Sequence, residues 1–288
     1  MNAVAGGITR RGLLGSVLAL GMQRSDRAGA RDALYAQSDI TRNLPSSLML
    51  GIARVVLQPG AMSQGAAPGM RLIAVESGVV AVGLPQSDRM PLTAADLATT
   101  SGAQFDLVEV IMATGTSLVA DNPGVMSLRN PGTGAAVMLD VVVSREVGRP
   151  LTRAFTSDDV SFQLLASAVA GTAPSGGAMV RLERRWLTQR QTLMQEAGTG
   201  VMLAYLARGA VQVTAEAGAV ATARAATAAP YSLPGALHVL GVRQARLVTA
   251  GGMVFVPKDG AATVTNTERR EAELLTLSVL ASGSGPGG

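Results

Sequence analysis

The chain has 288 residues, enough for two domains that each bury a core of their own. Hydrophobic residues make up 48% and charged residues 15%, which excludes general disorder. One histidine, His238, and no cysteine exclude disulfides, zinc–thiolate sites and cysteine nucleophiles. The formal charge of +4 sits mostly in the first thirty residues; beyond them 20 basic side chains face 19 acidic ones, which leaves no basic stripe for nucleic acid.

Taken in chain order, the first feature is Arg10-Arg11, followed by a short apolar run from Gly12 to Met22 and by Ala28-Gly29-Ala30. A basic start, an apolar middle and small residues at a cleavage site make residues 1–30 an expected signal peptide of a type that resembles twin-arginine export signals. The alternative is an N-terminal tail on a cytoplasmic protein. On the export reading the mature protein is periplasmic or extracellular. The apolar run is too short to anchor in a bilayer, and no later segment is apolar enough to form an integral membrane span. Residues 31–44 read as a linker.

A module of alternating apolar runs and glycine turns follows over 45–145, and a second over 160–281, with 146–159 as linker and the Gly/Ser-rich residues 282–288 as a flexible tail. The two modules repeat one another. Gly69, Leu72, Gly78, Val80 and Val82 align with Gly200, Leu203, Gly209, Val211 and Val213 at an offset of 131, and Gly115, Gly124 and Asn130 align with Gly251, Gly260 and Asn266 at 136. Val160 to Leu164 is expected to open the second module as a strand, and Ala215 to Ala229 reads as an irregular excursion. The alternating row Arg181-Leu-Glu-Arg-Arg-Trp186 reads as an exposed strand whose charges reach solvent.

Gly251, Pro257, Gly260 and Asn266, with a weaker copy at Gly115, Gly124 and Asn130, and Gly60 with Gly78 before them, resemble the glycine-framed motifs of the bicupins, proteins of the cupin superfamily with two tandem barrels. The likeness covers roughly 45–145 and 155–281. It implies an all-β fold of two tandem double-stranded β-helix, or jelly-roll, barrels. It also implies where a metal ion would be held. In the first module those positions fall on Gly65, Ala67, Arg71 and Met126; in the second they fall on Glu196, Gly198, Met202 and Ala262. These eight are the expected barrel-interior positions, and only Glu196 among them is a metal donor of ordinary type. No metal and no other cofactor is therefore expected.

The expected role is non-catalytic: binding or structural, toward an unknown small molecule or a protein surface, in a protein able to form a homo-oligomer. The alternative is a metal-independent isomerase or lyase acting on a small polar substrate through Glu196, Arg71 or Tyr205. Arg71 either enters the barrel, where it could hold a carboxylate, or faces outward, since the sequence does not set strand register. Glu196 is either an interior acid or a solvated turn residue. Met126 and Met202 read as core filling, and His238, with no acid beside it, reads as structural.

Overall fold

The computed structural model describes residues 32–40, 47–67, 69–85, 107–121, 124–144, 159–174, 177–224 and 237–281. The expected signal peptide, most of the 146–159 linker and the 282–288 tail lie outside them. Every regular element among the described residues is a strand. The first half contributes β1 (Ala33–Ile40), β2 (Leu48–Leu57), β3 (Met62–Ala67), β4 (Met70–Ser77), β5 (Val79–Pro85), β6 (Leu107–Ala113), β7 (Ser117–Asp121), β8 (Gly124–Arg129) and β9 (Ala136–Ser144). The second contributes β10 (Val160–Ala170), β11 (Ala178–Leu187), β12 (Thr192–Gln195), β13 (Gly200–Arg208), β14 (Ala210–Ala217), β15 (Val220–Arg224) and β16 (His238–Leu240). It ends with β17 (Ala245–Thr249), β18 (Gly252–Val256), β19 (Ala261–Asn266) and β20 (Ala272–Ala281).

These strands make two jelly-roll barrels. The first joins a five-stranded sheet, β10-β2-β9-β4-β7, to a four-stranded one, β3-β8-β5-β6; the second joins a seven-stranded sheet, β1-β11-β20-β13-β18-β15-β16, to β12-β19-β14-β17. Period-two alternation explains why the strands read as nearly continuous apolar runs. On β4, Ile73 and Val75 enter the first barrel, while Met70, Leu72 and Ala74 enter a second core shared with Val201, Leu203, Leu275 and Leu277 of the other half. The two larger sheets thus pack face to face, each covered on both sides. At about 1.5–3 kcal/mol for each large apolar side chain fully buried, this shared core binds the halves into one body. The second barrel has its own core, including Met202, Val213, Val264 and Leu274.

Two expectations about boundaries are corrected here. Residues 33–40, expected as linker, form β1, which pairs with β11 of the second barrel. Val160–Ala170, expected to open the second module, instead pairs with β2 and completes the first barrel's sheet. Each half lends a strand to the other because β2 and β11 would otherwise be open edges beside a large apolar face. The alanine-rich stretch is also more regular than expected: Ala210–Ala217 and Val220–Arg224 are strands, and residues 225–229 lie outside the described set.

The repeat is visible in three dimensions. Gly78 and Gly209 share positive φ (79° and 82°), and a Cβ on either would lie 2.9–3.0 Å from a backbone Cα, Ala136 in one case and Ala272 in the other. The amide of Asn130 donates to the carbonyls of Leu57 and Gly134 and accepts from Gly132 N–H, and Asn266 does the same with Leu187, Arg270 and Glu268. Pro257 follows the last residue of β18, where no ladder N–H is needed.

At the rim of the shared core, charges link the halves. Arg54 Nε donates to Glu76 at 2.9 Å, Arg184 donates to the other oxygen of Glu76, and Arg184 Nε lies 3.1 Å from Glu273. The Arg184 guanidinium stands over the ring of Tyr35, 5.2 Å from its centroid. Burial of that phenol pushes its pKa up to about 12.

Candidate functional site

The interior of each barrel is the place to look, since strand register aims named side chains into it. In the first barrel Arg71 shares a face of β4 with Ile73 and Val75, and Asp140 shares a face of β9 with Ala136 and Met138, all four apolar residues belonging to the barrel core. Arg71 pairs across the ladder with Val142, and Ile73 pairs with Asp140, so the arginine and the aspartate are diagonal neighbours. Arg71 Nη1 donates to Asp140 Oδ1 at 3.1 Å and to Oδ2 at 2.9 Å, with side chains only 2% and 1% exposed. A charge at that depth is tolerable only with its counter-charge in contact. Of the two orientations open for Arg71, the interior one holds, and Asp140 supplies the partner. Arg71 Nε is buried with no hydrogen-bond partner among the described residues.

The other expected positions divide. Gly65 pairs with Met126, which is fully buried in the first barrel, and Ala67 pairs by its backbone with Gly124. Met202 and Ala262 are buried in the second barrel's core. Glu196 and Gly198 are corrected: both are exposed, on the turn that leads from β12 into β13, where Gly198 N–H donates to the Lys258 carbonyl. The cause is one extra residue in that turn. Gly60 and Arg190, both at positive φ, donate to the carbonyls of Asn130 and Asn266 respectively, so the offset before the turn is 130 and not 131. The interior counterpart of Gly65 is accordingly Gln195, 8% exposed, whose amide donates to Thr199 Oγ1 at 2.7 Å. Glu196 is thus the solvated turn residue of the two readings.

Arg71, Glu196 and Tyr205 do not meet. Arg71 lies in the first barrel, Glu196 on an exposed turn, and Tyr205 in the core shared between barrels. His238 opens the three-residue β16 and is exposed.

Residues that the sequence offered only as an exposed strand make the second barrel's polar cluster. Leu187 on β11 belongs to the second barrel's core, so Arg181, Glu183 and Arg185 share its inward face, and the strand expected to be exposed is half-buried, with the arginine side chains still reaching solvent. Arg181 Nη2 lies 2.6 Å from Glu183 Oε1 and Arg185 Nη2 lies 3.1 Å from Glu183 Oε2. Arg185 Nη1 also donates to Asp32 at 3.2 Å, and the Trp186 N–H donates to the same carboxylate. Burial opposes the charge on Arg185, but Glu183 and Asp32 outweigh it and leave its pKa above the ordinary arginine value. In the first barrel the matching β2 positions, at the offset of 130 set by Leu57 and Leu187, are Gly51, Ala53 and Val55. The two barrels therefore carry charge in the same region from different strands. Where the first has Arg71 and Asp140, the second has Met202 and Thr276.

The bicupin resemblance would place a metal ion at Gly65, Ala67, Arg71 and Met126, and at their counterparts in the second barrel. The donor sets do not fit one. In the first barrel a guanidinium occupies the carboxylate position, repels a metal cation and already holds the nearby carboxylate. In the second, Gln195, Met202 and Ala262 offer an amide, a thioether and a methyl group.

No protein-family model matches the chain, and no curated protein matches it in sequence. Solved structures with similar folds include oxalate decarboxylase from Lactobacillus farciminis in a formate complex (10% identity, 96% of this chain and 87% of that one, TM-score 0.45). AerE from Microcystis aeruginosa is similar at 11% identity over 86% of this chain and 98% of that one (TM-score 0.44). A cupin 2 conserved barrel domain protein from Leptotrichia buccalis is similar at 9% identity over 85% and 89% (TM-score 0.35). The two-barrel, cupin-like architecture stands on the sheets and cores described above.

Proposed function

We propose that this chain is an exported, bicupin-like binding protein that works without a metal ion and without catalysis. The observation that carries the reading is the Arg71–Asp140 pair. It lies in the first barrel's interior, with Arg71 at the position where the resemblance puts a metal-ligand carboxylate, and each charge is held by the other. The enzymatic alternative needs Arg71, Glu196 or Tyr205 to converge, and these three stand in separate environments. Export rests on the arginine pair and the Ala28-Gly29-Ala30 sequence.

Elemental analysis of protein purified from its native source tests the metal-free reading, with manganese, iron, zinc and copper measured together. The expected result is less than a tenth of an equivalent of each; one equivalent per chain overturns it. N-terminal sequencing of the same sample tests export. A mature start near residue 31 supports it, and an intact Met1 in the cytoplasmic fraction refutes it.

A further inference from the structure

We infer that Arg181 and Arg185 of β11 form a binding site for a small carboxylate with an apolar body. The inference deepens the metal-free binding role and rests on it. A duplicated module serves as its own comparison. Gly51, Ala53 and Val55 show that this barrel position closes without charge, yet the second barrel sets two guanidiniums and a carboxylate there. Unlike the sealed Arg71–Asp140 pair, this cluster meets solvent: the side chains of Arg181, Glu183 and Arg185 are 23%, 12% and 32% exposed.

Donor capacity exceeds what the protein uses. Each guanidinium has five N–H groups, but Arg181 makes one ion pair, to Glu183, and its Nε is buried with no partner among the described residues. Glu183 shows the class of acceptor that fits, because its carboxylate already sits between the two arginines with one oxygen toward each. A ligand carboxylate would approach Arg181 and Arg185 from the side on which their side chains reach solvent. Beside it on the same face, Met179 pairs with Leu280, both half-buried, and gives an apolar shelf for the rest of the ligand.

Isothermal titration of hexanoate and of acetate into the EDTA-treated full chain at low salt tests the site. One saturable hexanoate site per chain is expected, at least tenfold tighter than acetate and weakened by salt. Arg181→Gln should weaken hexanoate at least tenfold. Glu183→Gln, which removes the internal competitor and keeps both cations, should tighten it severalfold; a merely structural cluster would not give these opposite signs. Absence of saturable binding in the wild type overturns the site, as does equal affinity for the two acids. If Arg181→Gln does not fold, Glu183→Gln decides: unchanged or weaker binding refutes the proposal. A metal found by elemental analysis would retire the metal-free reading alone, whereas failed titrations would retire this site alone.

Discussion

Replacing Arg71 with methionine leaves Asp140 buried without its counter-charge. The pair is 2% and 1% exposed and held by contacts of 3.1 and 2.9 Å. Breaking such a pair from one side costs about 3–5 kcal/mol, whereas exchanging both members for packed uncharged residues is commonly neutral or better. The second barrel supplies the exchange, since its counterparts are Met202 and Thr276. Arg71→Met alone should therefore lose about 3–5 kcal/mol, and Arg71→Met with Asp140→Thr should recover to within about 1 kcal/mol of wild type or exceed it. Urea unfolding followed by far-ultraviolet circular dichroism reads the difference, with Trp186 fluorescence reporting on β11. A loss under about 1 kcal/mol in the single variant, or a double variant no more stable than the single, refutes the reasoning.

Tyr35 should give an alkaline absorbance transition near pH 12 that Tyr35→Phe removes. The folded state holds that proton more tightly than the unfolded chain, so the contribution is complete below about pH 10 and is lost as pH rises toward 12. Gly209→Ala should destabilise more than Gly251→Ala. Both glycines are at φ +82°, which costs an alanine about 1–2 kcal/mol, but only Gly209 also lacks room for a Cβ. Thermal melts compare the two, and equal shifts would refute the steric part. Asn266→Asp keeps the acceptor for the Glu268 N–H and loses both donations, so it should not rescue the loss of roughly 2–4 kcal/mol expected for Asn266→Ala. Removing residues 32–40 should open the β11 edge that faces away from β20 and produce concentration-dependent association by size exclusion; a stable monomer would argue against β1 as an edge cover.

What the sequence made legible is local chemistry. Gly78, Gly209, Asn130 and Asn266 fill roles that few other residues can fill, so their spacing carries the barrel turns into view. Pairing between distant strands leaves no such mark, which is why residues 33–40 read as linker and Val160–Leu164 as the opening of the second module. Glu196 was misplaced for a different reason: one extra residue in a turn changes every inward position before it, and the glycine-rich turn gives no sign of where the residue was added. The Arg181–Arg185 row shows its alternation plainly, but alternation does not say which face is covered. Asp140 was within reach, as a lone acid in an otherwise apolar strand to match the lone arginine in β4.

The exchange of β1 and β10 also sets a schedule for the nascent chain. β1 precedes the other described strands, yet its partner on β11 begins at Ala178. The first barrel's sheet waits for β10, and the second barrel's larger sheet waits for β20, the last described strand. Neither repeat completes its larger sheet from its own strands alone, and at synthesis rates of about 5–20 residues per second β1 waits many seconds for its partner. The strand exchange thus ties the completion of both larger sheets to late-made strands, and a chain stopped before β20 carries open edges on β11 and β13.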